Sequence, residues 1–144
     1  MDAGPLVALI DYGQGEAHRT CVAALKTILG PLVTTWPCFT EAMYFLGDLK
    51  GWNGQETLWQ FLERGALDLH ISTDSETKRM RVLMEKYGDT PMDLADASLV
   101  AIAESGVCIV FSRLIMIFGS TELTARLRLK SFHKTTLESE SRHV

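Results

Sequence analysis

Residues 91–101 read PMDLADASLVA and place two acidic residues within an otherwise apolar pattern. The spacing predicts a helix over 92–104, with Thr90 as its N-cap and Pro91 at the first helical position. Asp93 would then occupy the third position and complete a Thr-x-x-Asp capping box, with Asp in place of the usual Glu. Helix capping is therefore a sufficient structural explanation for Asp93.

Asp96 is harder to explain by local structure. Its helical neighbours at i+3, i+4 and i+7 are Leu99, Val100 and Ala103. The carboxylate therefore projects from the apolar stripe, where it costs several kcal/mol unless it is paired or bound to a metal ion. We predict that Asp96 is a site residue, the alternative being a structural acid with a satisfied partner.

Helix-like and strand-like segments alternate along the rest of the chain. Short strands are predicted at 32–35, 67–71 and 107–111. The remaining segments are a short apolar stretch at 5–10 and amphipathic helices at 16–28, 38–49, 52–62 and 74–87. Because strands separated by helices need crossover connections, the chain is predicted to be an α/β protein with a mostly parallel sheet, covered on both faces.

The composition is that of one ordinary globular domain. The chain has 144 residues, of which 47% are hydrophobic and 22% are charged. Its net charge of −4 argues against a protein that binds nucleic acid through an overall positive charge. It allows a nuclease that contacts phosphate through bound metal ions. No apolar run is long enough for a membrane span, so a cytoplasmic protein is expected. The three cysteines are expected to be reduced core residues: Cys21, Cys38 and Cys108.

Two further acids occupy positions where a parallel sheet would form its ligand crevice, at the carboxyl ends of strands. Glu41 is predicted to lie in the first turns of the helix that follows the 32–35 strand, where the helix dipole alone would explain a carboxylate. Asp2 would end a first strand, if one existed, and is otherwise a polar residue near the N-terminus. No Ser–His–Asp or Cys–His arrangement, phosphate-binding glycine loop or histidine metal motif stands out. The basic residues of the 74–87 helix are expected to form a solvated face.

Three segments together resemble the motifs of the PIN-domain family, and in particular its VapC-type toxin ribonucleases. Residues 2–9, DAGPLVAL, are similar to the opening motif, Asp-x-Gly-Pro-Leu-Val-Ala-Leu. Residues 34–42 resemble the second motif, a strand leading to a helix that bears an acid. Residues 91–101 resemble the third, whose final Asp is a metal-site acid. The resemblance covers residues 1 to about 112.

The resemblance implies a three-layer α/β/α sandwich with its acids gathered at the strand ends. It implies Asp2, Glu41 and Asp96 as the catalytic, metal-site acids, with Asp93 just behind them. The implied cofactor is Mg²⁺ or Mn²⁺, which would activate a water for attack on an RNA phosphodiester. The implied partners are the RNA substrate, a cognate antitoxin protein and a second copy of the chain in a homodimer, with no membrane.

The sequence departs from the family pattern at both ends. The family has a central strand before the first Asp and a further acid after the last strand, whereas Ser112 to Phe118 contain no acid. Our hypothesis is a truncated start and a shift of reading frame near Arg113. A PIN-like domain is therefore expected over 1–118, followed by an atypical tail over 119–144 that is either disordered or a marginal helix.

These departures leave two alternatives to an active nuclease. One is an inactive PIN remnant that binds its antitoxin through apolar stripes on the 38–49 and 52–62 helices, unless those stripes simply pack in the core. The other is an unrelated α/β binding module.

Overall fold

The computed structural model describes residues 1–89 and 92–106. A 3₁₀ turn at Tyr12–Gln14 follows the first helix. The helices and strands are α1 (Ala3–Ile10), α2 (Glu16–Leu25), β1 (Leu32–Thr35), α3 (Trp36–Lys50), α4 (Trp52–Glu63), β2 (Leu67–His70), α5 (Asp74–Lys86) and α6 (Leu94–Glu104). Within this part of the chain, no helix is both long and apolar enough to cross a membrane.

The two strands pair in parallel, which confirms the predicted sheet type. Their register runs from Leu32 opposite Leu67 to Thr35 opposite His70. Met1 lies against β1, where its amine donates to the carbonyl of Val33 and its own carbonyl accepts a 2.7 Å hydrogen bond from Thr34 Oγ1. The first residues of the chain are thereby fixed against the sheet.

Helices cover both faces of this sheet. On one face, Leu32 and Leu67 join the main core cluster together with buried residues of α1, α3 and α4. On the other face, Thr35 Oγ1 lies 2.6 Å from Ser98 Oγ of α6, and His70 Nε2 lies 2.9 Å from a carboxylate oxygen of Glu76 on α5. The predicted α/β/α sandwich with a parallel sheet is confirmed.

The apolar stretch at 5–10 is the body of α1, a helix buried on all sides. Every residue of α1 is buried, so the helix lies inside the domain and not on its surface. Asp2 is its N-cap: Oδ1 accepts a 2.6 Å hydrogen bond from the backbone N–H of Ala3. Capping by Asp satisfies one of the donors that a buried helix start would otherwise leave without a partner.

Two predicted helix starts are wrong. α6 begins at Leu94 with Asp93 as its N-cap, so Asp93 does not occupy the third helical position; an Asp caps a helix at least as well as a Thr three residues earlier. α3 begins at Trp36, with Pro37 favouring helical geometry in its first turn. Glu41 is therefore the sixth residue of α3, and the first-turn dipole does not explain it.

Several predictions concern residues outside the described part. Thr90 and Pro91 belong to this group, as do the 107–111 strand, the acid-free stretch over 112–118 and the domain boundary at 118. The strand, the acid-free stretch and the boundary remain predictions, whereas the start of α6 at Leu94 overturns the assignment of Thr90 as its N-cap.

Candidate functional site

Asp2 is a buried acid between Met1, which is hydrogen-bonded to β1, and the start of α1. The residue is 7% exposed, and the preceding residue is held against β1 through the backbone. Its carboxylate is therefore fixed by local backbone geometry at the end of the sheet from which α3 also starts. Chain order alone did not predict this burial.

Cys38 links Asp2 to α6. It is the third residue of α3 and fully buried, and its Sγ lies 3.9 Å from Asp2 Oδ1 and 3.6 Å from the carbonyl oxygen of Ala95. Burial raises the pKa of the Cys38 thiol to about 12, with the Asp2 charge acting in the same direction. The group is therefore a neutral thiol and not a reactive thiolate.

Glu41 and Asp96 lie close in sequence to the two residues of the Cys38–Ala95 contact, Glu41 on α3 and Asp96 on α6. Glu41 lies one turn beyond Cys38 on α3; it is half-buried, and its Oε2 is shielded from solvent. Asp96 directly follows Ala95 in the first turn of α6 and is also half-buried. Its backbone N–H donates to Asp93 Oδ1 at 2.9 Å, so Asp93 lies directly beside it as the helix cap.

The segments that carry the three predicted site acids thus meet around one thiol. We call the residues Asp2, Cys38, Glu41, Ala95 and Asp96 the acid junction. However, residues 1–89 and 92–106 contain no group of three His, Cys, Asp or Glu side chains arranged closely enough to hold a metal ion. The three acids are neighbours by element and do not form a ready-made three-ligand cage.

The chemistry of these donors nevertheless suits a hard cation. Mg²⁺ takes oxygen ligands, and it is commonly held through one or two carboxylates while keeping several waters. A preassembled cage of three protein ligands is therefore not required. The residues present fit Mg²⁺ or Mn²⁺ in donor type.

A hydroxyl pair lies beneath the acid junction. Thr35 Oγ1 and Ser98 Oγ are 2.6 Å apart, and Ser98 Oγ also donates to the carbonyl of Ala95 at 2.7 Å. Both residues are fully buried, so this pair joins the end of β1 to the first turns of α6 inside the domain. Cys38 is a buried free thiol as expected, but no spacing in the sequence singled out its contacts or the pairing of the two hydroxyls.

A second buried carboxylate lies at the end of β2, in what we call the Glu76 corner: His70, Thr73, Glu76 and Ser105. Glu76 is 5% exposed and accepts hydrogen bonds from His70 Nε2 at 2.9 Å and from the backbone N–H of Thr73 at 2.8 Å. Thr73 Oγ1 accepts from the N–H of Glu76 in return, which completes a capping box for α5. The hydrogen bond from His70, followed by that from Thr73, lowers the pKa of Glu76 to about 2. The Thr73-x-x-Glu76 spacing was the available sequence signal.

Comparison with known proteins rests on structure. No family model matches the chain, and no curated protein is significantly similar to it in sequence. Among solved structures, the crystal structure of Mycobacterium tuberculosis VapC20, a sarcin-ricin loop cleaving toxin, superposes with a TM-score of 0.67 at 12% identity. The match covers 78% of this chain and 92% of that one. The chain has a PIN-like fold. At this identity, the likeness to VapC20 establishes the PIN-like architecture and nothing about activity.

Proposed function

We propose that this PIN-like chain is a metal-dependent endoribonuclease of the toxin–antitoxin type, which cleaves phosphodiester bonds of RNA. The observation that carries the proposal is the acid junction: three acids from α1, α3 and α6, far apart in sequence, are on segments that meet around Cys38. Glu41 is half-buried at a position of α3 that neither capping nor the first-turn dipole explains, which makes it a candidate functional group. The likeness to a toxin that cleaves RNA supports the same reaction class.

In this proposal three of the acids are metal ligands and the fourth is a helix cap. Asp2, Glu41 and Asp96 would hold Mg²⁺ or Mn²⁺, and Asp93 would fix the first turn of α6 as its cap. The bound ion would supply an activated water and stabilise the charge on the leaving oxygen. Asp2 also holds the start of α1, so its carboxylate is oriented before any substrate arrives. The proposed partners are an RNA substrate, a cognate antitoxin and a second copy of the chain.

The test is cleavage of a labelled sarcin-ricin loop RNA by the purified chain with Mg²⁺ or Mn²⁺. We expect cleavage that EDTA abolishes and that Asp96→Asn lowers by about 100-fold or more, because one of the groups that stabilise the transition state is lost. Asp68→Asn is the matched control: it makes the same chemical change at an exposed position on β2 and should leave the rate unchanged.

Two outcomes would contradict the proposal. One is cleavage that persists in EDTA, and the other is an equal loss in the Asp68→Asn and Asp96→Asn variants. Circular dichroism of each variant separates a lost site from a lost fold.

A second candidate function is an inactive PIN remnant that only binds an antitoxin. It is favoured by the absence of a three-ligand group in the described residues and of any acid over 112–118. A wild-type chain that is folded, yet cleaves no RNA at any Mg²⁺ or Mn²⁺ concentration, would support the remnant over the nuclease.

A further inference from the structure

Cys38 is placed where a small change would alter the spacing of the acids. Its thiol contacts the carboxylate of Asp2 on one side and the backbone just before Asp96 on the other. Glu41 lies on the same helix one turn further along. Cys38 therefore contacts Asp2 and the segment of α6 that carries Asp96, and it lies one helical turn before Glu41 on α3.

The contact is a packed and polar one. Cys38, Ala95 and Leu99 form a separate buried cluster, so the sulfur fills the space between α3 and α6. A thiol is also a weak hydrogen-bond donor, and both of its neighbours here are oxygen acceptors. An apolar side chain of the same size would fill the space but would leave Asp2 Oδ1 without this donor.

The hydroxyl pair of Thr35 and Ser98 fixes the α6 side of the space that Cys38 fills between α3 and α6. Ser98 Oγ donates to the carbonyl of Ala95, the same oxygen that faces Cys38 Sγ. Ser98 is in turn held by Thr35 at the end of β1. The carbonyl before Asp96 is thus anchored to the sheet, and Cys38 spans from that anchored point to Asp2.

We propose that Cys38 is a positioning residue that sets the distance between Asp2 and the first turn of α6, and thereby the metal affinity of the acid junction. It contacts no substrate and acts only through Asp2 and the Ala95–Asp96 backbone. This inference rests on the proposed function, because it concerns how the candidate metal-site acids are held. Residues that orient metal ligands commonly change affinity by 10- to 100-fold when they are lost.

The experiment measures binding of Mn²⁺ alone to the purified chain, from the paramagnetic resonance signal of the free ion. Cys38→Ala removes the sulfur, and Cys38→Ser keeps a hydrogen-bond donor at the same position. Cys21→Ala is the matched control, because Cys21 is the other buried free cysteine of the described residues and belongs to the main core cluster.

We expect the dissociation constant for Mn²⁺ to rise about 10-fold in Cys38→Ala and to stay within about 3-fold of wild type in Cys38→Ser and Cys21→Ala. Wild-type affinity in Cys38→Ala, or an equal loss in Cys21→Ala, would overturn the inference while leaving the proposed nuclease intact. A wild-type chain that binds no Mn²⁺ would overturn both the inference and the proposed metal dependence. If Cys38→Ala fails to fold, Cys38→Val fills the space with a slightly larger side chain that has no donor, and it carries the same expectation.

Discussion

The acid junction and the Glu76 corner both bury carboxylates at the end of the sheet, but they are built over very different chain distances. At the corner, Glu76 is bonded to His70 and Thr73, six and three residues away. At the junction, Cys38 reaches Asp2 and Ala95 across 36 and 57 residues. A carboxylate whose burial is explained by its immediate neighbours is a structural element. Acids on segments that only the fold brings together are candidates for chemistry.

The largest expected effect separates the two roles of Asp2. Asp2→Asn should lower RNA cleavage by about 100-fold or more, since it removes the charge, while the thermal midpoint changes little because Asn is also a good N-cap. Asp2→Ala should lose the same activity and, in addition, about 1 kcal/mol of stability. Cleavage rates and thermal unfolding curves of the two variants check this. Wild-type cleavage by Asp2→Asn would remove Asp2 from the proposed site.

The next effect falls on the Glu76 corner and concerns stability alone. Glu76→Ala should lower the free energy of unfolding by about 2 kcal/mol, because it breaks the capping box of α5 and leaves a partly buried donor on His70 without its acceptor. Cleavage per folded molecule should be unchanged. Urea titrations followed by circular dichroism measure the first quantity, and initial cleavage rates measure the second. A loss of cleavage without a loss of stability would mean that the corner belongs to the site.

The smallest effect is a dependence on pH. The pKa of Glu76 is lowered in the folded state to about 2 from an ordinary 4.5, so its charged form stabilises the fold above about pH 4.5. That stabilisation is lost as the pH falls from about 4.5 towards 2. Glu76→Gln can keep the capping-box geometry without the charge. The difference in unfolding free energy between wild type and Glu76→Gln should therefore shrink from about pH 7 to about pH 3. A constant difference would contradict the assigned partners.

Local patterns in the sequence predicted most of the framework. β1 was predicted over its full length because Leu32 to Thr35 combine apolar and β-branched residues, and the parallel pairing followed from the helices between the strands. The predicted helices are present, although some members of their apolar stripes are exposed. Leu49 and Trp52, on either side of the turn at Gly51, are 39% and 63% exposed because this turn lies beyond the core.

The candidate site was only partly predictable. Asp96 stood out because it interrupts an apolar stripe, but it is only half-buried, and Val100 and Ala103 of that stripe are half-buried and exposed, so the burial cost behind the prediction is smaller than expected. Asp2 and Glu41 were named only through the family resemblance, since the local patterns favoured plain structural roles for both. The contacts of Cys38 depend on how α1, α3 and α6 pack, and no periodicity within one segment contains that information. The predicted start of α6 was wrong for another reason. Competing N-caps such as Asp93 and Thr90 differ little in free energy, so the sequence alone does not select between them.

Among the described residues, Cys21 and Cys38 are buried thiols in separate clusters, so their reaction with an alkylating reagent can report local opening of the domain. Cys21 lies in the main core, and Cys38 lies in the small cluster with Ala95 and Leu99. An alkylating reagent reaches a buried thiol only when the surrounding structure opens, so each labelling rate reports the opening equilibrium of its own region. Equal rates would mean that the acids stay together until the whole domain unfolds. Faster labelling at Cys38 would mean that they separate and rejoin while the rest of the chain remains folded.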